Sequence, residues 1–234
     1  MFTRFVESAL NLRHPDGVDV QWFLGEGWSP ACRHQRGTEK ALTWGADWVV
    51  ILGSDQVYEP DLLCRLMART AEGCDVISAL VPARGFVACN QEMLPFQKMA
   101  WRFKGSDDGL ACRQYRGQEA DGDMVEVINS SDGALQKIHF IGSGVLCFHR
   151  DIILSLKRPW FYETVDHESQ IRTACMDTRA VFRMINEAGV DVWVDTTIQV
   201  KHLHIFAIDE TFPARFADWA TPGQGDPSIC TYVP

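Results

Sequence analysis

The sequence has no hydrophobic run long enough to cross a membrane. A membrane span needs about 18 consecutive apolar residues, and no segment of the 234-residue chain has them. The start, MFTRFVESALNL, carries Arg4 and Glu7 where a signal peptide needs an uninterrupted apolar core. We therefore expect a cytoplasmic protein without a membrane partner.

Basic charge is also scarce, and the cysteines form no motif. Lys and Arg number 22 against 31 Asp and Glu, which gives a net charge of −9. That balance excludes a protein that coats nucleic acid by general electrostatic attraction. The eight cysteines are scattered singly without a CxxC pair, so we interpret them as reduced core residues.

The composition that remains is that of a globular protein, with 46% hydrophobic and 23% charged residues. The length fits one domain with a sizeable core. Because glycine and acidic residues dominate its middle, we expect residues of about 85–136 to form a mobile excursion. We assign one domain to residues 1–220 and a loose tail to 221–234.

Apolar runs alternate with helical patterns in the first part of the chain. We predict strands at 18–24 (VDVQWFL), 47–52 (DWVVIL) and 74–81 (CDVISALV), with helices between them at 38–44 and after Pro60. This alternation predicts an α/β fold with a mostly parallel, Rossmann-like sheet and helices on both faces. Ligands of such folds bind beyond the carboxyl ends of the strands, where Glu26 and Asp55 fall.

The second part of the chain resumes the pattern. We predict a strand at 137–148 that is interrupted by Gly142 and Gly144, where the missing side chains allow a ligand or backbone to approach closely. A helix from about Asp177 to Glu187 follows, and β-rich segments at 190–194 and 197–200 lead to His202.

Three of these segments resemble the GT-A glycosyltransferases, especially compact phage and bacterial members related to family 2. They are GADWVVILGSDQVYEPDLL (45–63), IGSGVLCFHRDII (141–153) with RPWF (158–161), and DTRAVFRMINEAGVDVWVDTTIQVKHL (177–203). Together they cover the order and spacing of the family's motifs along nearly the whole chain.

The resemblance implies roles for individual residues. Asp55 matches the last acid of the family's DxD motif, His202 its metal-binding histidine, and Asp177 the acid that serves as base or binds the acceptor. Arg33, in CRHQRG, falls where the family has a contact to the nucleotide. The resemblance therefore implies transfer of a sugar, with inversion, from a UDP- or GDP-linked donor to an unknown acceptor.

The chain also departs from the family pattern at three points. Gly53 stands in the place of the first DxD acid, Thr178 replaces a common second acid, and the usual first strand is absent. Losing that strand exposes a sheet edge or leaves the nucleotide pocket incomplete.

The chemistry fits the residue types. An oxygen ligand and an imidazole at Asp55 and His202 suit Mn²⁺ or Mg²⁺, with the donor's phosphates and water completing the shell. Glu26 accepts hydrogen bonds from a base or ribose, and Arg33 pairs with diphosphate oxygens. Trp160 is our candidate sugar platform, and Gly144 completes the nucleotide-sugar site.

Each assignment has a simpler alternative. In these alternatives, Asp55 closes a turn, Asp177 caps a helix, and Trp160 packs in the core. His202 is then an ordinary histidine, and His204 is a second candidate for the metal-binding histidine. Glu26 and Arg33 are solvated loop charges, and Gly144 marks a bulge. For the whole chain, the alternatives are a non-catalytic or truncated GT-A-like binding module and a nucleotidyltransferase, although no glycine-rich, basic phosphate loop is present near the start.

Overall fold

A computed structural model describes residues 3–82, 86–89, 92–95, 100–103, 125–128, 133–142, 144–162, 164–165, 172–174 and 176–203. The helices are α1 Thr3–Leu10, α2 Pro30–Trp44, α3 Leu62–Ala71, α4 Arg150–Ser155 and α5 Met176–Asn186. None of these described helices is long and apolar enough to span a bilayer.

The strands of the five-stranded sheet are β1 Trp48–Leu52, β3 Val76–Leu80, β8 Leu135–Ile138, β10 Val145–His149 and β13 Val192–Gln199. Shorter ones are β2 Gln56–Val57, β4 Phe86–Cys89, β5 Glu92–Pro95, β6 Ala100–Phe103, β7 Val125–Val127, β9 Phe140–Ile141, β11 Thr164–Val165, β12 Arg172–Ala174 and β14 Lys201–His202.

The main sheet has the order β1-β10-β3-β13-β8 and is mixed, so our expectation of a mostly parallel sheet was wrong for the described part of the chain. Only β3 and β13 pair in parallel, and the other three neighbouring pairs are antiparallel. The reason is β10, which enters between β1 and β3 in the opposite direction. Strands β1, β3 and β13 nevertheless run the same way, and their carboxyl ends meet at one edge of the sheet.

Helices cover both faces of this sheet, as the alternation of strands and helices predicted. One face of β1 packs Val49 and Ile51 into a cluster that also contains buried residues of α2, α4 and α5. The opposite face packs Val50 against the side of α3, whose Leu62 and Leu66 are buried, and of α1. The sheet is therefore the middle of three layers.

Helix α2 illustrates how local sequence sets the element bounds. Ser29 is its N-cap and accepts a hydrogen bond from Cys32 N at 3.2 Å, with Pro30 in the first turn. Gly45 ends the helix in the left-handed region at φ 99°, a conformation that favours glycine. The helix is longer at its amino end than the predicted 38–44, because Ser29 and Pro30 supply a start signal eight residues earlier.

The predicted strand at 18–24 is not formed. Segment 18–28 pairs with no strand in the described residues, and it exposes Trp22, Leu24 and Trp28 by 46%, 63% and 89%. Side chains of α2 bind its carbonyl groups instead, since Lys40 Nζ donates to Leu24 O at 3.1 Å. A strand requires backbone partners on a neighbouring strand, and here helix side chains satisfy the backbone.

The predicted segments 190–194 and 197–200 form one strand, β13, with an irregularity between Asp195 and Gln199. Asp195 is 1% exposed, and its carboxylate accepts hydrogen bonds from Arg69 Nε at 2.8 Å and from Thr197 N at 2.9 Å. This ion pair fixes the bulge, after which the chain leaves the main sheet toward β14.

Most of the predicted 85–136 excursion and all of the 221–234 tail lie outside the described residues. Within the described part of this segment, β4 and β5 pair antiparallel. Strand β6 pairs with β7 and β9 in a separate three-stranded sheet.

Candidate functional site at the carboxyl edge of the sheet

Three strand ends converge at the carboxyl edge of the main sheet. Strand β1 leads into Gly53 and Asp55, β3 leads to Pro82, and β13 leads to His202. Because these strands share one direction, residues that are far apart in the sequence come together here. The edge is the place where the sequence predicted a site.

Asp55 and His202, the two predicted metal ligands, are in contact. Asp55 Oδ2 lies 3.4 Å from His202 Nε2, and the side chains are 22% and 15% exposed. The backbones are also joined, because Leu203 N donates to Asp55 O at 2.7 Å and β14 pairs with β2. The pair is thus partly sheltered and held on both sides by main-chain hydrogen bonds.

The other ring nitrogen of His202 faces a carbonyl. His202 Nδ1 lies 2.7 Å from Pro82 O, and a carbonyl oxygen only accepts, so we assign the proton to Nδ1. Nε2 then turns a lone pair toward the Asp55 carboxylate, unless it is itself protonated. Two electron-rich atoms that face each other at this distance need a proton or a cation between them.

A buried polar layer supports the turn that carries Asp55. Tyr58 donates from its hydroxyl to Gly53 O at 2.6 Å and lies 3.1 Å from the Gln56 amide oxygen. Burial, with a smaller contribution from the Asp55 charge, raises the pKa of Tyr58 far above its ordinary value, so the phenol stays protonated as a donor. Gly53 N in turn donates to Gly144 O at 2.9 Å.

Position 144 has no room for a side chain, because the Gln56 side chain lies next to it. A Cβ atom at this position would collide with the side-chain amide of Gln56, whose Cδ and Oε1 would be 2.8 Å away. Gln56 itself is only 2% exposed. The group closest to Gly144 is thus the Gln56 side chain of the same chain, and the predicted approach of a ligand or backbone stays a prediction.

Glu26 and Arg33 lie at the amino end of α2. Because the connection from α2 to β1 is short, we infer that the helix runs antiparallel to the strand. The amino end of α2 then lies toward the carboxyl end of β1. Glu26 is exposed and pairs with Lys40 at 3.2 Å, and Arg33 is exposed and donates from Nε to Gly27 O at 2.9 Å. Glu26 therefore contacts α2 and Arg33 contacts the segment before it, and their roles at a nucleotide stay predictions.

Trp160 is inside the protein. It is 2% exposed, its Nε1 donates to Leu156 O at 3.2 Å, and the Arg158 guanidinium lies 4.5 Å from the ring centroid. A buried ring offers no face to a sugar, so the packing alternative explains this residue and the platform assignment was wrong.

Asp177 lies in the first turn of α5, and the position of its side chain is outside the described residues. All of His204 also lies outside the described residues. The helix boundary agrees with the prediction of a helix from about Asp177, and the role of its carboxylate stays a prediction.

Sequence reasoning missed Pro82, Gln56 and Tyr58 as parts of this edge. Gln56 and Tyr58 lie one and three positions after Asp55 in SDQVY, on either side of Val57. Pro82 contributes only a carbonyl, which no side-chain pattern reveals. Among the described residues, no group of three or more His, Cys, Asp or Glu side chains could hold a metal ion, so a cation here would depend on ligands from a substrate or water.

The protein is a mixed α/β protein whose candidate site lies at the carboxyl edge of its sheet. No protein-family model matches the chain, and no curated protein matches it. Among solved structures, the chain is similar to A197 from STIV, with 12% identity and a TM-score of 0.45 over 75% of this chain and 68% of that one. A match at that level identifies neither a fold family nor an activity.

Proposed function

We propose that this protein transfers a sugar from a nucleotide-linked donor to an acceptor hydroxyl with the help of Mn²⁺ or Mg²⁺. The observation that supports the proposal most is the contact of Asp55 with His202 at 3.4 Å. The resemblance to the GT-A glycosyltransferases implies metal-ligand roles for these same two residues.

The donor set fits a divalent cation. A carboxylate and an imidazole are ligand types that Mn²⁺ accepts, and the 3.4 Å contact shows that Asp55 and His202 lie close enough for both to face one ion. The Pro82 carbonyl on Nδ1 orients the ring so that Nε2 is the coordinating atom, as outer hydrogen bonds do for metal-bound histidines. Asp55 and His202 would hold the ion, and diphosphate oxygens and water would complete its shell.

When bound, such an ion neutralises the charge that develops on the leaving diphosphate. Arg33 would pair with a phosphate oxygen at the same edge, and Glu26 would accept a hydrogen bond from the ribose or base. Both exposed side chains must exchange their present contacts to do so. Gly53 leaves the site with one acid fewer than the DxD pattern, so we expect weak binding of the ion in the absence of nucleotide.

In the inverting reaction, the acceptor oxygen attacks the anomeric carbon as the bond from that carbon to the phosphate oxygen breaks. Asp177 would take the proton of the acceptor hydroxyl, and the nucleoside diphosphate leaves with the electron pair of the broken bond. The identity of the sugar and of the acceptor depends on side-chain geometry beyond these residues.

Calorimetric titration of UDP and of GDP, with and without Mn²⁺, tests the proposal. We expect metal-dependent binding in the wild-type protein and its loss in Asp55→Asn and in His202→Gln. A second histidine–aspartate pair, His149 Nδ1 with Asp151 Oδ2 at 3.6 Å, lies at the opposite end of β10 and provides matched controls. His149→Gln and Asp151→Asn should bind as wild type.

Absence of nucleotide binding in the wild-type protein under every condition would refute the enzyme proposal for this chain. It would favour the alternative of a non-catalytic or truncated binding module with a GT-A-like arrangement. Equal loss of binding in the control variants would mean that the Asp55 and His202 substitutions act through general destabilisation.

A further inference from the structure

The turn between β1 and β2 is tied down by hydrogen bonds from distant parts of the chain. Gly53 N donates to Gly144 O, which precedes β10, and Leu203 N donates to Asp55 O just after β14. These bonds fix the main chain on both sides of the Asp55 side chain. They do not by themselves fix the position of the turn relative to the buried side chains beneath it.

The layer below consists of two polar side chains in apolar surroundings. Tyr58 is 4% exposed and belongs to the same core cluster as Leu12 and Leu62, with the Phe5 ring edge-on at 6.2 Å between centroids. Gln56 is 2% exposed, and its amide fills the space against Gly53 and Gly144. Burying a hydroxyl and an amide in such a place is unfavourable unless their hydrogen bonds are made.

The polar atoms of this pair are directed at the turn. The Tyr58 hydroxyl lies 2.6 Å from Gly53 O and 3.5 Å from Gly144 O, and the Gln56 amide oxygen lies 3.1 Å from the same hydroxyl. Apolar side chains of similar shape would fill the volume equally well. The hydroxyl has one proton and donates it to Gly53 O, the nearest of these three oxygens, so this bond adds a direction that an apolar side chain lacks.

We propose that Tyr58 and Gln56 are positioning residues that hold the Gly53–Asp55 turn so that the Asp55 carboxylate faces His202. The purpose of that arrangement rests on the proposed function, whereas the contacts themselves do not. The proposal also assigns Gly53 and Gly144 a shared role, because a side chain at either position would compete with the Gln56 amide for space. At Gly53 a Cβ atom would lie 3.0 Å from Gln56 Nε2.

Hydrogen exchange of the Leu203 amide, followed by NMR in the metal-free protein, tests the positioning role directly. This amide is bonded to Asp55 O, so its protection reports whether the turn is in place. Tyr58→Phe removes only the hydroxyl, and we expect exchange at Leu203 to accelerate about tenfold, as for the loss of one buried hydrogen bond. The amides of β10 should keep their wild-type rates.

Thr196→Val is the matched control. Thr196 is fully buried, and its hydroxyl donates to Gly133 O at 2.6 Å in another part of the sheet. This variant also loses one buried hydroxyl–carbonyl bond, and it should leave the Leu203 amide unchanged. Gly144→Ala, which displaces the Gln56 amide and leaves the Tyr58 side chain unsubstituted, should accelerate Leu203 exchange and serves in place of Tyr58→Phe if that variant does not fold.

A wild-type rate at Leu203 in Tyr58→Phe, or an equal acceleration at Leu203 and throughout β10, would overturn the positioning role. In the same proteins, the dissociation constant of UDP with Mn²⁺ should rise about tenfold in Tyr58→Phe. If the wild-type protein binds no nucleotide, the proposed function fails while the exchange experiment still decides whether Tyr58 positions the turn.

Discussion

The ion pair of Arg69 with Asp195 should carry more stability than any surface pair of this protein. Asp195 lies in the bulge of β13 with 1% of its surface exposed, and Arg69 reaches it from α3, where 24% of the arginine side chain is exposed. In Arg69→Met the carboxylate keeps its bond from Thr197 N and loses its counter-charge. It then becomes a buried charge that only the hydrogen bonds from Thr197 N and Oγ1 offset.

The expected loss follows from the geometry. Removing one partner of a buried pair costs about 3–5 kcal/mol, and the partial exposure of Arg69 lowers the expected cost below that range, to about 2–3 kcal/mol. Urea denaturation followed by tryptophan fluorescence measures the free energy of unfolding. Asp47→Asn is the control, because Asp47 is 78% exposed and lies 3.9 Å from Arg150, and such pairs contribute less than about 0.5 kcal/mol.

The loss should also depend on pH in one direction. Burial acts to raise the pKa of Asp195, and the hydrogen bonds from Thr197 and Arg69 outweigh it and hold that pKa below its ordinary value. A depressed folded-state pKa stabilises the protein above the unfolded value of about 3.9. The difference between wild type and Arg69→Met should therefore be complete at neutral pH and shrink as the pH falls below about 4. A variant as stable as wild type at pH 7, or a loss equal to that of Asp47→Asn, would refute the reasoning.

Three further predictions concern other parts of the fold. Ser29→Ala removes the cap of α2 and should cost about 1 kcal/mol in urea unfolding, whereas Ser29→Asp should not. Arg183→Met leaves Lys157 O and Pro159 O without the donors that lie 2.7 Å away and should cost about 2 kcal/mol or more; an unchanged midpoint would contradict this. Cys147 is fully buried, which raises its pKa to about 12, so it should react with a thiol reagent only upon unfolding, and rapid labelling of the native protein would refute its burial.

Much of the local structure could be predicted from the sequence. The apolar runs at 47–52 and 74–81 contain β1 and β3 because their length and β-branched residues leave no good helical alternative. The position of Asp55 followed from the run at 47–52, and that of His202 from the β-rich segment at 197–200. These predictions depend on short-range patterns, which one sequence displays.

The mixed strand directions of the main sheet could not be predicted in this way. Strand β10 pairs with both β1 and β3 across a long intervening stretch of chain, and an apolar run carries no mark of the strand that it will join. The error at 18–24 has a related cause, since its alternation resembled a strand and the competing partners, such as Lys40, lie on a helix. In both cases, long-range contacts decided between locally similar outcomes.

The candidate site, too, was predicted only in part. Residue types and resemblance identified Asp55 and His202, and the structure places them in contact. Trp160 was misassigned because sequence does not distinguish an aromatic ring that packs from one that stacks on a ligand. Tyr58 and Gln56 went unnoticed because their importance lies in which backbone groups they reach.

Segment 18–28 has a consequence for how the protein behaves in solution. Its outward face carries Trp22, Leu24 and Trp28, and exposed apolar faces promote self-association. At neutral pH the net charge of −9 keeps molecules apart. As acid neutralises the carboxylates, that repulsion fades while the apolar face remains, so colloidal stability should be lost in mildly acidic buffer well before the fold itself gives way.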